Sequence, residues 1–229
     1  MIFCRTGVKI PAKPDKKVHE KLFKKPRKPL NSLMRKIFQR TFHLRHGQVT
    51  GSCFTFSIKE KVYLVTAKHI ATSSEQTGFL FIEHETKWMK VQADLIGHGE
   101  GNEDVSVYGL KKNLNSNSIL EISLENTLLS EDVYFLGFPF NMKTSHPINN
   151  GFPVPFVNKA IVSALDPRTN ILYLDGRNNI GFSGGPIVRA SKPNQVIGVI
   201  YAYKLSQEKV NSGIIQACPI QVVRKILNL

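Results

Sequence analysis

Cysteine is sparse in this 229-residue chain, with only Cys4, Cys53 and Cys218 present, too few and too scattered for a disulfide framework. Cys53 and Cys218 sit inside β-rich runs and read as small buried hydrophobes rather than reactive thiols. A reducing cytoplasm is therefore the expected compartment. No stretch approaches the ~20 apolar residues that cross a bilayer. Charges and prolines break the N-terminal segment before it reaches the roughly 7–15 apolar residues of a secretory leader, so export by the usual route is not expected. Internal repeats are missing. His84, His98 and His146 are scattered singly, without the spacing of zinc ligands, and read as surface residues. No metal or other cofactor is expected.

Acidic residues are nearly missing from one end. Residues 1–46 carry 14 Lys and Arg against Asp15 and Glu20, a net of +12 out of +14 for the whole chain, which leaves the remainder close to neutral at +2. The basic character belongs to an extension, and within it 13–29 reads as a solvated Lys/Pro-rich linker. Leu30, Leu33, Met34, Ile37, Phe38 and Phe42 then recur at helical spacing, which predicts an amphipathic helix near 30–44. Docking on the adjacent body is the plainer role for that helix; contact with a membrane surface or a partner is the sharper one. Nucleic acid is an unfavoured partner, because the arm lacks the interleaved aromatics that stack bases.

What the chain does have is a body of short β-branched and aromatic runs separated by turns. The runs are 51–57, 61–66, 78–83, 87–96, 104–109, 132–137, 154–164, 170–175, 185–189, 195–203 and 212–217. Hydrophobic content of 41% with mean hydropathy −0.15 suits a globular body of one large or two small domains. Such a pattern predicts an all-β barrel architecture. The polar stretch 111–118 starts a connector between two halves, and Pro219 opens a short C-terminal helix.

Gly181-Phe182-Ser183-Gly184-Gly185-Pro186 puts a serine on a glycine turn where backbone can approach a substrate. No histidine follows Ser183, which excludes the α/β-hydrolase order of Ser, acid, His. Two glycines and a proline also oppose the helix a nucleophile elbow feeds, and Ile187-Val188-Arg189-Ala190 alternates as a strand does. Upstream, the β-rich run from Val62 ends on His69, a candidate base. Asp104, in the period-two segment Asp104-Val105-Ser106-Val107, is the preferred orienting acid over Asp94 and Asp132. Subtilisin's order needs an aspartate before His69, and only Asp15, in the basic arm, is available.

These segments resemble the trypsin-like (chymotrypsin-fold) serine peptidases, most closely the compact bacterial branch that includes the HtrA protease domain. Gly51-Ser52-Cys53-Phe54 is similar to the Gly-Ser-Gly-Phe first strand, and Leu64-Val65-Thr66-Ala67-Lys68-His69 to Leu-Val-Thr-Ala-x-His. Phe135-Leu136-Gly137-Phe138-Pro139 resembles the opening of the second barrel, and Ala217-Cys218-Pro219 the end of the last strand. The resemblance runs from about Gly51 to the C-terminus, with 35 residues from His69 to Asp104 and 79 from Asp104 to Ser183.

The resemblance implies two antiparallel six-stranded β-barrels behind a basic extension, divided as 1–46, 47–125 and 126–229, with a short C-terminal helix. It implies a serine endopeptidase acting on protein or peptide substrates, with Ser183 as nucleophile, His69 as base, Asp104 as orienting acid, and the N–H groups of Gly181 and Ser183 as the oxyanion hole. Arg177 would lie near the floor of the first specificity pocket, with Tyr201 and Tyr203 on its wall; a solvated Arg177, or one paired with Asp175, is the plainer reading. Phe182 stands where digestive and clotting members carry an aspartate that captures a newly cleaved N-terminus, so that activation route is not expected. Nor is an appended PDZ module. The competing functions are a catalytically silent protease-like binding module, a basic-arm adaptor for membrane or nucleic acid, and an esterase using the same chemistry.

Overall fold

The computed structural model describes residues 32–73, 78–115 and 120–229. The near-continuous apolar run ending at His69 is explained by burial on both faces. In strand β3 (Lys61–Thr66), Leu64 points into one core and Val65 into another, so neither face of the strand can be polar. Strand β2 (Val49–Ile58) is built the same way, with Cys53 in the first core and Phe54 and Phe56 in the second. Each fully buried Leu or Phe contributes about 1.5–3 kcal/mol.

These two strands join β1 (Thr41–His46), β4 (Phe79–His84), β5 (Lys87–His98) and β6 (Ser106–Leu110) in a closed barrel of order β1-β2-β3-β6-β5-β4. Antiparallel pairing of Leu44 with Ile82 closes the ring. The short strand β7 (Glu121–Ile122) leads to the second barrel, formed by β8 (Asp132–Gly137), β9 (Phe156–Asp166), β10 (Ile171–Asp175), β11 (Pro186–Arg189), β12 (Gln195–Leu205) and β13 (Asn211–Pro219). Their order is β11-β8-β9-β10-β13-β12, closed by β11 on β12, with β7 added parallel to β12. The fold is chymotrypsin-like, two six-stranded barrels, as the resemblance implies.

Among the described residues three α-helices flank the barrels: α1 (Ser32–Phe38), α2 (Lys68–Ala71) and α3 (Ile220–Ile226). Ile37 and Phe38 of α1 and Val222 and Val223 of α3 enter the cluster between the barrels with Phe54, Val107, Leu136 and Val199. Separate clusters fill each barrel, around Phe42, Leu64 and Ile82 in the first and around Phe135, Leu172 and Ile215 in the second. Residues 33–229 make one compact unit.

The N-terminal boundary needs correcting. The helix expected near 30–44 ends at Phe38, and Thr41–His46 is a barrel strand, so the first barrel begins at Thr41 rather than residue 47. Phe42 fits a helical repeat with Phe38, but it equally fits a period of two with Leu44, and pairing with β2 and β4 decides for the strand. The buried Ile37 and Phe38 show α1 docked on the body, the plainer of the two roles read for it. The linker 13–29 and the rest of the basic arm up to residue 31 lie outside the described residues.

Candidate active site

β3 ends at Thr66, Ala67 is extended, and a single turn of helix, α2, follows. Ile70 and Ala71 are buried and anchor that turn, leaving the His69 side chain 45% exposed. Asp104 sits on the turn between β5 and β6, whose shape is fixed by backbone bonds from Gly99 N–H to the Val105 carbonyl (2.8 Å) and from Glu103 N–H to the Glu100 carbonyl (2.9 Å). The Asp104 carboxylate grips His69 twice. Oδ2 lies 2.7 Å from the ring Nδ1, and Oδ1 accepts the His69 backbone N–H at 2.9 Å.

Burial raises the pKa of Asp104, but hydrogen bonds from the His69 ring, its charge and the backbone N–H groups outweigh burial and hold the carboxyl below its ordinary value. An ionised Asp104 fixes the tautomer with Nδ1–H toward the acid and Nε2 left for chemistry. Asp94 is exposed on β5, and Asp132 is tied to Lys159 at 2.9 Å on the surface, so neither competes with Asp104.

Ser183 lies on the turn before β11. That turn is bound to β12 by Gly184 N–H to the Ile200 carbonyl (2.7 Å) and Ile200 N–H to the Gly185 carbonyl (3.0 Å). Gly184, at φ +84°, packs so closely that an added Cβ would overlap the Ser52 carbonyl and Thr66 Oγ1, and would lie 3.0 Å from Ala67 N. The residue after the serine thus rests on the segment that ends at His69. Ser183 Oγ donates to the Tyr201 carbonyl at 3.1 Å, and among the described residues this is its one hydrogen bond. Tyr201 lines a groove of about 580 Å³, shared with Lys68, His69, Asp104, Lys204 and Gln216.

Gly181 takes φ +103°, and a Cβ there would collide with the Phe138 carbonyl, so only glycine fits. Among the described residues, the N–H groups of Gly181 and Ser183 have no protein acceptor, whereas Phe182 N–H is used by the Asn179 carbonyl at 3.2 Å. Two backbone donors beside a serine suit a developing oxyanion. The Phe182 side chain turns into the second barrel, 1% exposed and packed edge-on against Phe135 at 5.0 Å. Burial, not an ion pair, fixes the residue before the serine.

The specificity residues fare unequally. Tyr201 borders the groove and Tyr203 is half-buried on β12, but the Arg177 side chain is exposed and no ion pair to Asp175 forms among the described residues. The solvated reading of Arg177 therefore stands. His84 and His98 are half-buried rather than fully on the surface: the His84 ring lies 3.0 Å from the Asn150 carbonyl and the His98 ring 2.6 Å from Ser106 Oγ, while His146 is exposed. Ser52, which the sequence offers only as part of a strand motif with no chemical signature of its own, touches the Ser183 turn directly.

A family model described as Trypsin-like peptidase domain matches residues 51–199. Among solved structures, the chain is similar to the serine endoprotease from Yersinia pestis, at 22% identity and a TM-score of 0.64, over 88% of this chain and 67% of that one. At that identity the likeness concerns the fold. No curated protein matches the sequence.

Proposed function

Because the chain belongs to the trypsin-like peptidase family, we propose that it is a serine endopeptidase working through Ser183, His69 and Asp104 by an acyl-enzyme route. The observation that carries this reading is the bonded His69–Asp104 pair facing the same groove wall, Tyr201, that holds the Ser183 hydroxyl. On this reading the serine hydroxyl leaves the Tyr201 carbonyl by rotating about χ1 and turns to His69 Nε2. His69 then takes the hydroxyl proton as Oγ attacks the scissile carbonyl. The N–H groups of Gly181 and Ser183 receive the oxyanion, each worth about 3–4 kcal/mol in comparable sites. His69 returns the proton to the leaving amine, and water repeats the sequence on the acyl-serine.

The Tyr201 carbonyl has a second use once the serine leaves it. It becomes an acceptor for a backbone N–H of an extended substrate lying along β12, which favours peptides over small esters.

Labelling with diisopropyl fluorophosphate, followed by cleavage of a denatured protein, tests the reading. Wild type is expected to label and to cut internal bonds, and Ser183→Ala to do neither. Labelling without peptide cleavage would make the protein an esterase; no labelling would make it a silent binding module.

A further inference from the structure

Ser52 lies on β2, fully buried in the first barrel, and the proposed chemistry does not use it. Its N–H and its hydroxyl are nevertheless both spent around the Ser183 turn of the other barrel. Its N–H donates to the Ser183 carbonyl at 2.8 Å. Its hydroxyl donates to the Gly181 carbonyl at 2.6 Å and accepts the Phe138 N–H at 3.1 Å. Its own carbonyl accepts Thr66 Oγ1 at 2.8 Å, which ties it back to the end of β3.

A peptide unit is planar, so holding its carbonyl also fixes the direction of its N–H. Four such planes run from Ile180 to Gly184. The Ile180 carbonyl accepts Phe140 N–H at 2.8 Å, and the Phe182 carbonyl accepts Gly185 N–H at 2.8 Å. Those two planes carry the N–H groups of Gly181 and Ser183. The other two, with the Gly181 and Ser183 carbonyls, are both held by Ser52. Without the Ser52 hydroxyl, the Gly181 carbonyl keeps, among the described residues, only the Phe138 N–H at 3.4 Å. A glycine beside it offers little torsional resistance to a peptide flip.

We propose that Ser52 is a positioning residue for the oxyanion hole: from the first barrel it locks the peptide planes on both sides of Phe182–Ser183, so that the Gly181 and Ser183 N–H groups stay aimed into the groove. The inference rests on the peptidase reading for its kinetic consequence, but not for its geometry.

Ser52→Ala deletes the hydroxyl and keeps the N–H bond to Ser183; Ser52→Cys fills the space with a weak donor. Cys53→Ala, altering the neighbouring side chain in the first core, controls for lost packing. Per fluorophosphonate-titrated site, kcat on a peptide substrate is expected to fall about 10-fold or more in Ser52→Ala and less in Ser52→Cys, with KM within about twofold. Affinity for a peptide boronate, which mimics the tetrahedral state, should fall in parallel. Cys53→Ala should lower Tm and leave kcat per site unchanged.

A Ser52→Ala kcat within twofold of wild type would overturn the proposal. So would unchanged ¹⁵N–¹H shifts and exchange rates for the Gly181 and Ser183 amides in Ser52→Ala or Ser52→Cys, where shifted, faster-exchanging amides are expected. That arm needs no substrate. An unlabelled wild type refutes the peptidase reading alone, and the amide spectra still decide on Ser52.

Discussion

Asp104 binds both the ring and the backbone of His69, so it orients the imidazole and anchors the helical turn that carries it. Asp104→Asn keeps the shape but offers an amide in place of a charge, and kcat is expected to fall about 10³–10⁴-fold, as measured by steady-state peptide hydrolysis. The folded carboxyl has a lowered pKa. Its stabilising contribution is therefore complete above the unfolded value of about 3.9 and disappears as pH falls through the folded value. Melting temperatures of wild type and Asp104→Asn should differ at neutral pH and converge in strong acid; a constant gap would contradict the linkage. Cys53 and Cys218 give a second residue-scale expectation. Burial pushes both thiols up, so neither should react with iodoacetamide until the chain is unfolded, as mass spectrometry of the tryptic peptides would show.

At the scale of elements, the legible strands were those with an internal repeat and clear turns at each end. Strands β2 and β3 announced themselves because burial on both faces removes polar residues, and the Thr66–His69 and Gly181–Pro186 motifs carried the site. Strand β1 was hidden, since Phe42 satisfies two periods and only the partners β2 and β4 choose between them. β7 was hidden because two residues have no period at all. The direction of the Ser183 hydroxyl was beyond the motif, being set by the carbonyl of Tyr201, a residue 18 positions away. A chain beginning at Gln48 lacks β1 and should show no cooperative thermal transition, whereas one beginning at Ser32 should melt cooperatively. In the second barrel, Arg189 on β11 is 4% exposed and pairs with Glu131 at 2.5 Å, while its other nitrogen holds the Asn126 carbonyl at 2.9 Å. Arg189→Ala leaves Glu131 without its partner and is expected to cost about 3–5 kcal/mol in urea unfolding.

The two barrels are held together by the cluster between them, to which α1 and α3 contribute. Helix α3 follows the last strand of the second barrel yet reaches the first: Ile226 meets Gly97 on β5, and Lys225 bonds Glu100 at 2.7 Å, on the turn that carries Asp104. That ion pair is fully exposed and contributes little by itself. The buried residues Ile220, Val222 and Val223 are what fasten the helix. During synthesis, the imidazole and the carboxylate emerge from the ribosome long before this fastening is available. A nascent chain from which α3 has not yet emerged would carry His69, Asp104 and Ser183 and still lack the segment that fastens the end of the second barrel to the turn bearing Asp104.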